Sequence, residues 1–196
     1  MIERIDELIL EFKDLVPKEW CDLIIEWFHI NSELQQFGKV ADDYDNQEVD
    51  LDFKIATQSI IEFNTPMFEL FTKINHMAYD KLIEKIPGAP KKEIFFRDYS
   101  VRIYEKDKGV FKQHVDQHSG GTSLRIFTMI LYLNDVELGG ETEFSAFNKK
   151  IKPEKGKVLM FPSNFLFPHQ GNVPISNSKY IATSFVTFNA PPDSFQ

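Results

Sequence analysis

A chain of 196 residues, 42% of them hydrophobic and 27% charged, has the length for one domain with a substantial core. Its net charge of −8 opposes a phosphate backbone, and its single cysteine, Cys21, excludes an internal disulfide framework. Glu3, Arg4, Asp6 and Glu7 interrupt the stretch where a secretory leader needs apolar residues, and no run approaches a membrane span, so a cytoplasmic protein with no membrane partner is expected.

Ile2, Ile5, Leu8, Ile9, Phe12 and Leu15 recur at spacings of three and four and predict an amphipathic helix over residues 2–15. Pro17 suits the first turn of a second helix through Trp20, Leu23, Ile24, Trp27 and Phe28, which makes Cys21 a buried, inert thiol. Residues 38–52 are acidic and weakly patterned and predict a loop. Thr65 is a suitable N-cap, with Pro66 at the first position, for a third helix through Phe68, Phe71, Ile74, Met77, Ala78 and Leu82 that Pro87 and Gly88 stop. His29 and His76 fall on these helices, far from any partner ligand, and read as packed or surface histidines.

From Ile94 the pattern shortens into strands separated by Gly, Pro, Asn and Asp turns: IFFRDYSVRIYE, GVFKQHVD, SLRIFTMILYLN, TEFSAF, KKIKP, KVLMFP and KYIATSFVTF. The phenylalanines concentrate at strand-like spacings there, as a β-rich core requires. An α+β fold follows: an antiparallel sandwich or jelly roll with the N-terminal helices packed on one outer face. The expectation is a single domain over residues 1–196, with a helical buttress at 1–90 and a jelly-roll core at 91–190. The one basic cluster, Lys149, Lys150, Lys152, Lys155 and Lys157, predicts a solvated hairpin, so nucleic acid is disfavoured as a partner.

His114 and Asp116 stand two apart on a predicted strand, so both side chains leave one face and can reach one small ion. A lone H-x-D is weak, but His169 sits on a late strand between turn-rich flanks, and a jelly roll can return such a strand beside an early one. Two imidazoles and one carboxylate on one face of an octahedral metal form the triad of non-haem Fe(II) oxygenases. Lys179, at the start of an apolar strand, taken alone reads as an exposed turn lysine; with the triad it becomes the cation for the distal carboxylate of 2-oxoglutarate. His118 continues the alternation, but SGGTS follows it at once, so a loop histidine near the site's mouth is expected. Gly139 and Gly140 suit a tight turn ahead of the TEF strand.

The segment RIFTMILYLNDVELGGETEF resembles the middle of the prolyl 4-hydroxylase group of 2-oxoglutarate dioxygenases, where an Arg, a Thr, Y-L-N and G-G-x-T-x-F recur between the H-x-D and the distal His. IKPEKGKVLMFP is similar to that group's next stretch, so the likeness extends over residues 94–188. The resemblance implies a double-stranded β-helix with His114, Asp116 and His169 as Fe(II) ligands, catalysis by that metal, and Lys179 on 2-oxoglutarate. It further implies Tyr104, Thr128, Tyr132 and Thr183 along the cosubstrate pocket and Arg125 near the substrate entrance. The implied cosubstrates are 2-oxoglutarate and O2, with ascorbate as an optional reductant; the products are succinate, CO2 and a hydroxylated C–H position. Peptidyl proline is the expected substrate, with a free amino acid or another small molecule as the alternative, and no oligomeric state is implied. Phe111 and Phe185 depart from the group's usual tyrosine and tryptophan, which weakens the transfer of substrate preference. The competing readings are a nucleic acid demethylase of the same superfamily, which lacks its basic surface here, and a non-catalytic binding domain on the same scaffold. The second leaves a costly polar cluster without a ligand.

Overall fold

The computed structural model of the chain describes residues 4–41 and 47–188. A 3-10 turn at Ile5–Leu8 leads into strand β1 (Leu10–Phe12), helix α1 (Lys18–Ile30) and a 3-10 turn at Ser32–Leu34. Short strands β2 (Gln36–Phe37), β3 (Val40–Ala41), β4 (Gln47–Glu48), β5 (Lys54–Ile55) and β6 (Thr57–Ile60) precede helix α2 (Pro66–Lys85). Then come β7 (Ile94–Tyr104), β8 (Val110–His114), β9 (Arg125–Tyr132), β10 (Thr142–Phe144) and β11 (Lys149–Ile151), and finally β12 (Val158–Pro162), β13 (His169–Gly171) and β14 (Lys179–Phe188).

Two antiparallel sheets face each other: a large one in the order β1-β12-β9-β14-β7-β6-β2 and a small one in the order β11-β10-β13-β8-β5. This is the expected double-stranded β-helix, with both helices on the outer face of the large sheet. Strand alternation divides the core in two. Val101, Phe127, Met129, Leu131, Val158, Met160, Ala182 and Val186 pack outward against Ile24, Phe28, Phe71, Ile74 and Leu82 of the helices. Their neighbours Tyr104, Ile130, Tyr132, Leu159, Phe161 and Ile181 point inward, with Phe144 and Ile151 of the small sheet, to fill the barrel. Each fully buried side chain of this size contributes about 1.5–3 kcal/mol, so both layers are strongly held. Thr65 caps α2 by accepting from the Phe68 amide at 3.1 Å, and Pro66 begins the helix, as expected.

Three expectations need correction. Residues 2–15 do not form one helix; the 3-10 turn gives way to β1, which pairs Leu10 with Met160 and Phe12 with Val158, and Ile2 lies outside the described residues. Spacings of three and four over so short a stretch fit a turn plus a strand as well, and the exposed edge of β12 supplied the hydrogen-bond partners. The predicted loop at 38–52 contains the small β3–β4 hairpin, which pairs Val40 with Glu48, although residues 42–46 of that stretch lie outside the described residues. The lysine cluster is only partly solvated: Lys157 is buried, and its ammonium binds Glu11 at 3.0 Å and Glu154 at 2.7 Å. Among the described residues no helix is long and apolar enough to cross a membrane.

Candidate metal centre

The small sheet builds the centre because β8 and β13 are neighbours and their register sets His114 opposite His169. Asp116 does not lie on the strand, as expected from the two-residue spacing, but just past its end at a bend. The turn still directs its carboxylate to both rings: His114 Nε2 is 3.7 Å from Oδ1 and His169 Nε2 is 3.6 Å from Oδ2. The three side chains offer ligand atoms that all lie within 4.8 Å of one another.

The protonation pattern suits a divalent cation. His114 Nδ1 donates to the Lys112 carbonyl at 2.8 Å and His169 Nδ1 to the Phe167 carbonyl at 3.2 Å, which leaves both Nε2 lone pairs turned to the centre. Burial, together with the charge of His169, pushes the His114 imidazole down to about 3, so the ring is neutral near pH 7. Burial alone would raise Asp116, but His169, His114 and the Thr128 hydroxyl outweigh it and hold the carboxyl below its ordinary value. Thr128 donates to Asp116 Oδ2 at 2.6 Å and is itself linked to Ser163 at 2.9 Å. The Phe111 ring stacks on His114 with centroids 3.6 Å apart and fixes its plane. Two imidazoles with Nε2 turned inward and an ionised carboxylate, all oriented from behind, fit Fe(II).

Beside the triad a cavity is lined by Tyr104, Thr128, Lys179 and Thr183, as well as Arg102 and Thr142, with apolar walls from Ile130, Ile181 and Phe185. Lys179 pairs in register with Tyr104 at the start of β14; it is 2% exposed and donates to the Gly140 carbonyl at 2.8 Å. Its ammonium also lies 4.6 Å over the Tyr104 ring. Burial pushes this lysine down to about 7, against which Glu141 acts weakly. The Gly140 carbonyl is presented by the expected turn, where Gly139 and Gly140 have φ of 72° and 73°. A Cβ on Gly139 would meet the Val173 carbonyl at 2.3 Å, so only glycine fits there.

Thr183 bonds Ser100 at 2.9 Å, while Tyr132 is fully buried and reaches the cavity through Thr142, its hydroxyl 2.7 Å from Oγ1. Arg125 lies outside, in a cleft of about 720 Å³ that opens onto the triad. Its guanidinium stacks 3.7 Å from the Phe185 centroid and binds Asp98 at 2.7 Å and the Asp116 carbonyl at 3.1 Å. His118 borders the same cleft from its loop. His29 meets Tyr180 and His76 meets the Phe96 ring, both away from the centre. Arg102, Thr142 and Lys54 belong to the site region and were missed. Arg102 shares the inward face of β7 with Tyr104, and the alternation could have flagged it. Lys54 sits in a two-residue strand too short to leave a pattern.

Residues 99–187 match the profile of the 2OG-Fe(II) oxygenase superfamily. No curated protein matches the sequence. Among solved structures, the viral collagen prolyl hydroxylase of Paramecium Bursaria Chlorella virus-1, in complex with 2-oxoglutarate, superposes with a TM-score of 0.71 at 21% identity, covering 93% of this chain and 97% of that one. A Pseudomonas putida prolyl 4-hydroxylase gives 0.66 at 17% identity over 92% of each chain. A Trichoplax adhaerens prolyl hydroxylase in complex with a hypoxia inducible factor peptide fragment gives 0.71 at 18% identity over 92% of this chain and 84% of that one. The barrel, the His-Asp-His cluster and the profile match over residues 99–187 together make the chain similar to the 2OG-Fe(II) oxygenases, dioxygenases that depend on Fe(II), 2-oxoglutarate and O2, on a fold it shares with the prolyl hydroxylases.

Proposed function

We propose that the protein hydroxylates an unactivated C–H bond of peptidyl proline, with His114, Asp116 and His169 as its iron ligands. The single observation that carries the ligand assignment is the convergence of these three side chains within 4.8 Å, each held by a partner behind it. Bound Fe(II) with 2-oxoglutarate supplies an oxidant from O2 and releases succinate and CO2. Lys179 takes the distal carboxylate of 2-oxoglutarate, and Tyr104, Thr142 and Thr183 complete the polar end of that cavity. Ile130, Ile181 and Phe185 keep water from its walls, while Thr128 and Phe111 hold the ligands in place.

A peptide substrate is supported by the size of the outer cleft and by the peptide complex of the Trichoplax relative. Arg125 borders that cleft and is assigned to the substrate. The whole chain works as one domain in this reading, its helices buttressing the catalytic sheet. With its one thiol buried it needs no oxidising compartment, in keeping with a cytoplasmic location.

The test is a substrate screen by mass spectrometry with iron and 2-oxoglutarate supplied. Proline-rich peptides should gain one oxygen atom while succinate accumulates in step. Oxygen gain on free amino acids alone would replace the peptide reading, and no succinate from any substrate would remove the hydroxylase reading.

A further inference from the structure

Two basic side chains stand in the outer cleft with no carboxylate bound to them among the described residues. Lys54 is 3% exposed, yet among the described residues its ammonium has only the Lys39 carbonyl at 3.0 Å, the Gln58 amide oxygen at 3.5 Å and the face of Phe111 at 4.8 Å. Gln58 pairs in register with Arg102 across β6 and β7, so the lysine and the arginine approach the same corner of the barrel. The buried Nε of Arg102 has no hydrogen-bond partner. Both residues line the cleft that opens onto the triad, and Arg102 also reaches the inner cavity. The carboxylates of the cleft are committed elsewhere: Asp98 to Arg125, Asp116 to Thr128 and the histidines. By contrast the buried Lys157 is closed by two glutamates.

We propose that Lys54 and Arg102 form an anion subsite on the substrate side of the centre, so that the molecule hydroxylated carries a carboxylate close to the reacting carbon. The assignment rests on the hydroxylase reading above and narrows its substrate class. A buried cation is costly until it is paired, and a carboxylate answers both the ammonium and the guanidinium edge. Lys179 cannot serve the same anion, since it lies in the inner cavity against Gly140 and outside the lining of the cleft. Burial and the charge of Arg102 push Lys54 down to about 6, so an arriving anion also draws a proton onto it near pH 7. The carboxylate has two possible sources of one chemistry: the α-carboxylate of a free amino acid, or an acidic side chain beside the target residue of a peptide.

The experiment is anaerobic calorimetry on the protein loaded with Fe(II) and 2-oxoglutarate, using matched probes. One pair is L-proline against L-prolinamide; the other is a proline peptide with a neighbouring glutamate against the same peptide with glutamine. In at least one pair the acid should bind about 10–100-fold tighter than the amide, and the responding pair identifies the source. Lys54→Met and Arg102→Met should each reduce that preference to less than about threefold, and Lys54→Met, outside the inner cavity, should change the 2-oxoglutarate dissociation constant by less than about threefold. Lys54→Arg and Arg102→Lys should keep much of it, and acetate should compete with the acidic probe on the wild type, so the result does not depend on the methionine variants folding. Equal binding of acid and amide, no binding of any acid, or a preference that survives both methionine variants overturns the subsite. So does a loss of 2-oxoglutarate affinity in step with the preference, which would give the cations to the cosubstrate. Failure of the hydroxylase reading is seen separately, as absence of the visible charge-transfer band when wild type receives Fe(II) and 2-oxoglutarate.

Discussion

The two faces of the large sheet use the same strands for opposite purposes. On β9, Phe127, Met129 and Leu131 meet the helices, whereas Thr128 orients Asp116 and Ile130 walls the inner cavity. On β14, Ala182 and Val186 face the helices, whereas Ile181, Thr183 and Phe185 line the cavity and Lys179 anchors its far end. Even the polar residue on the helix side is closed off, since Ser184 donates to Asn75 of α2 at 2.6 Å. The outer face therefore spends its side chains on rigidity, and the inner face keeps polar groups available because the outer one secures the strands.

His169→Ala should give the largest effect: loss of turnover and of the Fe(II)–2-oxoglutarate charge-transfer band with an unchanged far-UV spectrum. Global unfolding instead would break the division between the faces. Phe71→Ala, on the helix side and 1% exposed, should destabilise by about 3–5 kcal/mol in denaturant titration, with iron and 2-oxoglutarate binding kept below the transition. Lys179→Ala should raise the 2-oxoglutarate requirement by roughly 30-fold, the worth of a buried charge-assisted contact of about 2 kcal/mol, at little cost in stability.

The same lysine sets a pH dependence. Burial lowers it from 10.5 to about 7 in the folded protein, so between those values the unfolded chain holds more protons and the stability of the 2-oxoglutarate-free protein rises with pH. Binding of the dianion favours the charged lysine, so 2-oxoglutarate affinity should weaken as pH climbs above about 7, by up to about tenfold per unit. Lys179→Ala should flatten both slopes.

The long strands, α1 and α2 were legible in the sequence because alternation, capping at Thr65 and Pro66 and the turn glycines all agreed. The triad was legible through H-x-D and a distant His, although Asp116 proved to sit past the strand end, where a turn does the work assigned to the pleat. The N-terminal segment was misjudged because the edge of β12 overrode its helical spacing, and β5 and β6 were too short to carry a pattern. Thr142 stood in the G-G-x-T-x-F motif but carried no role until its bond to Tyr132 was in view. Lys54 and Arg102 could be linked only through the pairing of β5 with β8 and of β6 with β7, contacts that no local window contains.

The facing of His114 by His169 also has a bearing on the order of assembly. Donors from β8 and β13 meet only after the intervening turns have wound, so a nascent polypeptide halted before residue 169 has no complete chelate to offer. An ion captured there would then fasten the first turn of the winding to the last, and thermal resistance should grow with the concentration of free divalent cation.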